Sequence, residues 1–185
     1  MAKVVLGMTI SLDGYINDSK GSVGRLYQDL DELRHSEVLK ESIRNTGAVV
    51  MGRNTYEMTT DPDLYADNYE YQAPIFVLCK KEPQKHPKEN EELTFTFVTQ
   101  GIEHAIAQAK EAAGNKVVTV IGGAITAQQC LKAELVDELQ IDIMPVLLCG
   151  GIKMFEHIGE EQIELEKLSV REVGERTSIL FRVVK

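Results

Sequence analysis

The feature that most constrains this fold is a β-branched run that ends in two adjacent glycines and continues as a helix-like segment. Residues 119–121 have the composition of a buried strand, Gly122 and Gly123 follow, and residues 124–129 favour a helix. Glycine lets the backbone approach a ligand without a Cβ in the way, and the helix start favours an anion at the same place. The pattern therefore predicts either a phosphate site or a tight strand-to-helix connection.

Alternating strand and helix patterns extend on both sides of this unit. The predicted helices are amphipathic segments at 29–44 and 102–113, and the predicted strands are short apolar runs at 4–10, 48–51, 75–79, 94–98 and 116–121. The last third is rich in β patterns, with an alternating strand at 139–143 and a predicted hairpin of 163–173 and 177–184. This order predicts an α/β fold: a mixed, mainly parallel sheet flanked by helices, closed by an antiparallel hairpin.

Composition limits the classes of function. A chain of 185 residues with 43% hydrophobic content is expected to form one domain over residues 1–185. The formal net charge of −9 argues against nucleic acid or an anionic membrane as a partner, so small molecules are favoured. No segment approaches the roughly 20 apolar residues of a membrane span, and residues 1–6 lack a signal-peptide pattern.

The cysteines predict neither a disulfide framework nor a metal site. Cys79, Cys130 and Cys149 lie far apart, form no CxxC pair and have no metal-ligand spacing with the four histidines. We therefore expect no metal and a reducing, cytoplasmic environment.

Two further strand ends carry groups that suit a phosphate. Residues 51–55 read Met-Gly-Arg-Asn-Thr, which places the Arg53 guanidinium and the Thr55 hydroxyl just past a strand. Lys80 and Lys81 follow the strand at 75–79. Ligands of open α/β sheets bind outside the carboxyl ends of strands, so these ends and the glycine pair together predict a nucleotide site. Taken singly, each cation also fits an ordinary solvated position.

The motifs at 4–16, 49–57, 75–81 and 118–126 resemble the dihydrofolate reductase-like superfamily in their order. The Ser-Leu-Asp-Gly-Tyr-Ile turn at 11–16 and the stretch from Glu134 to Gly151 are more similar to the reductase domain of bacterial riboflavin biosynthesis. The resemblance implies an oxidoreductase that uses NADPH to reduce a small heterocycle, such as a pterin-like or ribosylaminopyrimidine-like compound. It also implies homodimers formed through the C-terminal strands.

The resemblance also implies which residues bind the cofactor. Residues 53–55 would hold phosphates, Lys80 and Lys81 would lie near the adenosine 2′-phosphate, and residues 122–126 would bind the pyrophosphate. Thr9 and Ile16 would line the nicotinamide, and the bond between Gly122 and Gly123 is expected to be cis. The full implied set is Thr9, Ile16, Gly52, Arg53, Asn54, Thr55, Cys79, Lys80, Lys81, Gly122, Gly123, Ala124, Ile125 and Thr126.

The proton donor of such a reductase has no unambiguous match. Dihydrofolate reductases supply a carboxylate from their first helix, where this chain offers Asp29 among several acids, but the chain has no tryptophan and lacks the usual motif before that acid. Asp13, in the turn that would border the nicotinamide, is the second candidate, although an Asp-Gly turn explains it equally well. The alternative to an enzyme is a non-catalytic NADP(H)-binding or regulatory module on the same fold.

Overall fold

A single mixed sheet organises the chain, and the computed structural model describes residues 2–185. The strands are β1 (Val4–Ser11), β2 (Thr46–Gly52), β3 (Ile75–Leu78), β4 (Phe95–Val98), β5 (Val117–Ile121), β6 (Glu138–Met144), β7 (Leu165–Val173) and β8 (Arg176–Val183). Their order across the sheet is β4-β3-β2-β5-β1-β6-β8-β7. The first six strands pair in parallel, and β8 pairs antiparallel with both β6 and β7. The predicted mixed, mainly parallel sheet with a C-terminal antiparallel hairpin is therefore confirmed.

Helices cover both faces of this sheet. They are α1 (Leu30–His35), α2 (Glu37–Asn45), α3 (Arg53–Tyr56), α4 (Tyr65–Asn68), α5 (Ile102–Ala113) and α6 (Ala124–Lys132). On one face, the apolar sides of α5 and α6 pack on alternate strand residues such as Val50 and Val120. On the other face, Leu39 of α2 packs against a second cluster that contains Val49 and Met51. This alternation follows from the period of two in a strand, which sends Val49 and Val50 to opposite faces.

The predicted helix at 29–44 is wrong as one continuous element, because it breaks into α1 and α2 at Ser36. The backbone of Ser36 is extended, with φ of −72° and ψ of 149°. Its hydroxyl donates to the Leu33 carbonyl at 2.8 Å and accepts from the Leu39 N–H at 3.1 Å, so one side chain ends α1 and caps α2. The periodicity continued through the break because both helices turn apolar side chains toward the same cavity.

The C-terminal hairpin extends the sheet on one side. β7 and β8 pair over most of their length, with a register shift between Lys167 and Ser169. β7 is the edge strand and most of its residues are exposed. The longest described helix, α5, has 12 residues, and no helix within residues 2–185 is long and apolar enough to cross a membrane.

Candidate functional site

Three neighbouring strands bring the predicted phosphate motifs to one edge of the sheet. Met51 lies opposite Ile121, and Gly52 lies opposite Leu78. The segments that follow β2, β5 and β3 therefore begin side by side. Residues 52–55, the glycine pair at 122–123 and residues 79–81 are together in the fold, although they are far apart in sequence.

The glycine pair is fixed by its packing against Thr55. Gly122 and Gly123 have φ angles of 71° and 81°, a region that favours glycine. A Cβ on Gly122 would lie 2.6 Å from the Thr55 hydroxyl oxygen, so the backbone and the threonine could not approach as they do. The expected cis bond between the two glycines is wrong, because the described chain contains no cis peptide. The chain turns from β5 into α6 through the positive φ angles of the two glycines, with a trans peptide bond between them.

The start of α6 presents unpaired backbone donors beside this turn. Gly123 is its N-cap and supplies no side-chain hydrogen bond, and its first turn contains no acidic residue. The first N–H groups of a helix have no intrahelical partner, and together with the helix dipole they favour a bound anion. Thr126 packs against the end of β2. A Cβ on Gly52, the last residue of that strand, would clash with the Thr126 Oγ1 atom.

Arg53 links the segment after β2 to the segment after β3. Its Nε donates to Glu57 at 2.5 Å, and one terminal nitrogen donates to the Lys81 carbonyl at 3.0 Å. The Lys80 and Lys81 side chains are exposed, and neither forms an ion pair with a described residue. Arg53 is thus held at this edge by Glu57 and the Lys81 carbonyl, whereas the Lys80 and Lys81 side chains are accessible to an anion.

The other residues of the implied cofactor set differ in their exposure. Asn54 is exposed, and Ile125 is 64% exposed. Ala124 is buried. Cys79 is buried in the cluster on the α2 face, and this burial raises the pKa of its thiol. The side chains of Ala124 and Cys79 therefore pack inside the fold and do not meet solvent.

A cavity of about 550 Å³ runs along the sheet from this edge. Its lining includes Thr55 and the glycine pair at one part, and Thr9, Ile16 and Asp142 at another. Gly7 lies between these parts, because its neighbours across the sheet are Ile121 and Gln140. A Cβ on Gly7 would meet nothing within 4 Å, so the backbone of β1 forms an open floor.

A buried charge cluster lies at the far part of this cavity. Thr9 is opposite Asp142 on β6, and Asp142 is opposite Ser178 on β8. Arg176 precedes Ser178 by two residues and therefore lies on the same face of β8. Its guanidinium is bidentate to Asp29, with bonds of 2.9 and 2.5 Å, and also donates to Asp142 at 3.2 Å. The Cζ atom of Arg176 lies 5.6 Å from the centroid of the Tyr27 ring.

The sequence matches the model of the RibD C-terminal domain over residues 2–179. The chain belongs to the RibD C-terminal domain family. It is 27% identical over 159 residues, 86% of each chain, to the uncharacterized protein YwjB of Bacillus subtilis (strain 168). Family membership and this geometry confirm the resemblance on which the sequence-based expectations depend.

Solved structures support the same assignment. A Shewanella sp. PV-4 protein, provisionally named a riboflavin biosynthesis protein, matches with a TM-score of 0.79 and 25% identity over all of both chains. A dihydrofolate reductase from Enterococcus faecalis, complexed with NADP(H) and RAB-propyl, matches with a TM-score of 0.65 and 16% identity, over 99% of this chain and 97% of that one. The fold of this chain is therefore similar both to that of the Shewanella protein and to that of the dihydrofolate reductase.

In this RibD C-terminal domain, Asp29 is a partner of Arg176 and not a free acid. It is 3% exposed, and the hydrogen bonds and charge of Arg176 lower its pKa from the ordinary value of 3.8. A carboxylate stabilised in this way holds no proton at neutral pH. The prediction that Asp29 donates a proton therefore conflicts with its surroundings.

Asp13 likewise has a structural role. It accepts hydrogen bonds from the Ser11 hydroxyl at 2.5 Å and from the Leu148 and Cys149 N–H groups at 3.1 and 2.8 Å. The Ser11 bond is the main cause of its lowered pKa. Asp13 is not among the residues that line the cavity. It joins the turn after β1 to the loop after β6, as the turn interpretation expected.

The sequence reasoning missed Arg176 and Asp142. The sequence pattern places Arg176 between the two predicted hairpin strands, and it places Asp142 on the polar side of the alternating strand at 139–143. That polar face was the available signal. The polar face of a strand inside a sheet can meet either solvent or a cavity. In this fold, the position of β6 between β1 and β8 turns that face toward the cavity.

Proposed function

We propose that this protein is an NADPH-dependent reductase that transfers a hydride to a small nitrogen heterocycle, pterin-like or ribosylaminopyrimidine-like. The observation that carries the proposal is the continuous cavity that joins the glycine pair to Thr9, Ile16 and the charge cluster. One part of it suits a phosphate, and another suits a flat ring. Membership of the RibD C-terminal domain family and the shared fold of an NADP(H)-bound dihydrofolate reductase support this reading.

The strand edge fits the phosphates of such a cofactor. The Thr55 hydroxyl and the uncapped start of α6 offer neutral donors next to the glycine pair. Arg53, Lys80 and Lys81 offer cations at the adjoining strand ends. Under this proposal Arg53 and the lysines hold the adenosine 2′-phosphate, and the α6 start holds the pyrophosphate.

The open floor at Gly7 suits the hydride-transfer part of the reaction. When bound, NADPH supplies the hydride, which requires a donor and an acceptor carbon about 3 to 3.5 Å apart. A flat ring can lie directly on the β1 backbone, because Gly7 has no side chain and a Cβ there would meet only open space. Thr9 and Ile16 border the same floor and would fix the position of the ring.

A second candidate function is a non-catalytic NADP(H)-binding or regulatory module. The observation that favours it is that both sequence-predicted acids are held in other contacts, Asp29 by Arg176 and Asp13 by Ser11. Such a module would bind the cofactor without consuming it. The two functions share the phosphate site and differ only in turnover.

Two measurements test these proposals in order. Calorimetric titration with NADPH and NADP⁺ should show binding, and its absence at millimolar concentration would reject both candidates. Incubation of NADPH with a panel of pterins, aminopyrimidines and quinones, followed by the absorbance of the reduced nicotinamide, then separates them. Consumption of NADPH with any member supports the reductase, whereas binding without consumption across the panel supports the module.

We also propose that the protein forms a homodimer through its C-terminal strands. β7 is an edge strand with unpaired backbone groups, and it exposes Leu165, Leu168 and Val170 by 43%, 36% and 51%. Exposed apolar edge strands favour pairing with another chain. Burial of this strand in a dimer would remove both the apolar surface and the open edge.

A further inference from the structure

The buried cluster around Arg176 carries one more carboxylate than guanidinium. Arg176 is paired with Asp29 and with Asp142, and its own side chain is fully buried. The pairing with Asp29 is bidentate and uses both oxygens of that carboxylate. The formal charge of the cluster is therefore negative, and the excess lies on the Asp142 side.

Arg176 has no donor left for a ligand. A guanidinium has five N–H groups. The structure assigns five bonds to them: two to Asp29, one to Asp142, one to the Thr9 hydroxyl at 3.2 Å and one to the Leu26 carbonyl at 3.3 Å. Arg176 therefore organises the cluster and does not itself recognise an anion in the cavity.

Asp142 has an oxygen that the protein leaves without a partner. Its Oδ2 accepts from Arg176, but no donor in the described part of the chain reaches Oδ1. The residue is only 9% exposed, and it lines the cavity beside Tyr27 and Leu30. A buried carboxylate oxygen without a donor is costly, and a ligand that supplies an N–H would remove the cost.

We propose that Asp142 is a substrate-binding residue, and that its Oδ1 accepts a hydrogen bond from an N–H group of a cationic or amidine-like nitrogen heterocycle. This inference rests on the proposed function for the identity of the cavity as the substrate site. The negative cluster favours N–H donors that carry positive charge and disfavours carboxylates and other anions in this part of the cavity. Anionic groups of a substrate would lie toward the basic strand edge instead.

The test uses three probes of one shape: benzamidine, benzamide and benzoate. Calorimetric titration of the wild-type protein should give an affinity for benzamidine at least about tenfold above that for benzoate, with benzamide between them, because a charge-assisted hydrogen bond forms only with the first. Equal affinities of benzamidine and benzoate, or binding of neither at millimolar concentration, would overturn the proposal.

Two matched variants locate the preference. Asp142→Asn keeps the shape of the side chain and should weaken benzamidine by roughly 10- to 100-fold, without weakening benzoate. Glu70→Gln removes the same charge from an exposed residue that lines the same cavity, and should weaken benzamidine by less than about fivefold. Equal losses in the two variants would assign the preference to the general field and reject Asp142 as a ligand.

Two further controls keep the outcomes separate. Circular dichroism checks that Asp142→Asn folds, and if it does not, the wild-type comparison of benzamidine with benzoate decides by itself. NADPH is titrated into the same wild-type sample. Absence of NADPH binding together with a benzamidine preference would reject the reductase and keep Asp142 as a binding residue. NADPH binding without that preference would reject Asp142 as a ligand and leave the proposed function standing.

Discussion

Gly7 offers a direct test of whether the cavity holds the reactive end of the cofactor. The residue lies in β1 between Ile121, which precedes the glycine pair, and Gln140, which is two residues before Asp142. A ligand that extends from the phosphate edge toward the charge cluster must pass over this position. Replacing Gly7 by alanine or valine would put carbon atoms into that path.

The substitution should leave the fold intact. A Cβ on Gly7 meets no atom within 4 Å, and Gly7 is not among the glycines with positive φ. Glycine inside a strand is less stable than alanine by about 0.5 to 1 kcal/mol, so Gly7→Ala should raise the free energy of unfolding by up to that amount. Valine has the higher strand preference and should be tolerated as well.

The effect on binding should be large by comparison. Extra carbon atoms in a close-packed contact cost about 1 to 3 kcal/mol, which corresponds to roughly 5- to 140-fold in a dissociation constant. We therefore expect NADPH affinity to fall from wild type to Gly7→Ala and further to Gly7→Val. Calorimetric titration gives the affinities, and urea unfolding gives the stabilities of the same samples.

Gly47→Ala is the matched control. A Cβ there would lie 2.7 Å from the Ala113 carbonyl oxygen and 2.8 Å from the Lys116 Cβ, at the start of β2 and away from the strand end that carries Gly52. It should lower stability by about 1 to 3 kcal/mol and leave the NADPH affinity of the folded protein unchanged. If Gly7→Val folds and binds NADPH as tightly as wild type, the cofactor does not lie on β1, and the reasoning is refuted.

Three further predictions follow from the same structure. Arg53→Ala should weaken NADPH by roughly 10- to 150-fold and NADH much less, by calorimetry, if Arg53 holds the 2′-phosphate; an equal loss for both would reject that role. Asp29→Asn should lower the free energy of unfolding by about 3 kcal/mol at pH 7, since it breaks a buried ion pair. Because Arg176 lowers the pKa of Asp29 from 3.8, that difference should be complete above about pH 4 and vanish as the pH falls through the folded-state pKa; urea unfolding that shows no loss in acid would contradict it. Val170→Lys should turn the proposed dimer into a monomer in sedimentation experiments, and an unchanged dimer would place the interface elsewhere.

Local sequence signals predicted the fold well wherever one face of an element is buried. The helix at 102–113 and the strands at 75–79 and 116–121 agree closely with α5, β3 and β5, because their apolar patterns follow the period of the element. The break at Ser36 was missed, because a serine inside an amphipathic pattern serves equally as a helix residue or as a cap. Its extended backbone decides which role it has.

The meeting of the three strand ends was also predictable, since a strand end, a glycine and a basic or hydroxyl side chain are local features. The sequence by itself determined that residues 52–55, 79–81 and 122–126 lie at the carboxyl ends of strands, and parallel strands present those ends together. The glycine at 122 also permits a positive φ that other residues rarely adopt. The close packing of Thr55 against that glycine belongs to the tertiary structure.

The chemistry of the other part of the cavity was decided only by the tertiary structure. Asp29, Asp142 and Arg176 come from three distant segments, and no local pattern marks any of them as charged partners. The order β1-β6-β8 places Thr9, Asp142 and Arg176 on one face, and the segment before α1 adds Asp29. Asp29 has both oxygens paired with Arg176, whereas Asp142 keeps one oxygen without a partner, and this difference depends on distances of a few ångströms between segments. Such distances are set by the packing of the fold, and the linear sequence does not contain them.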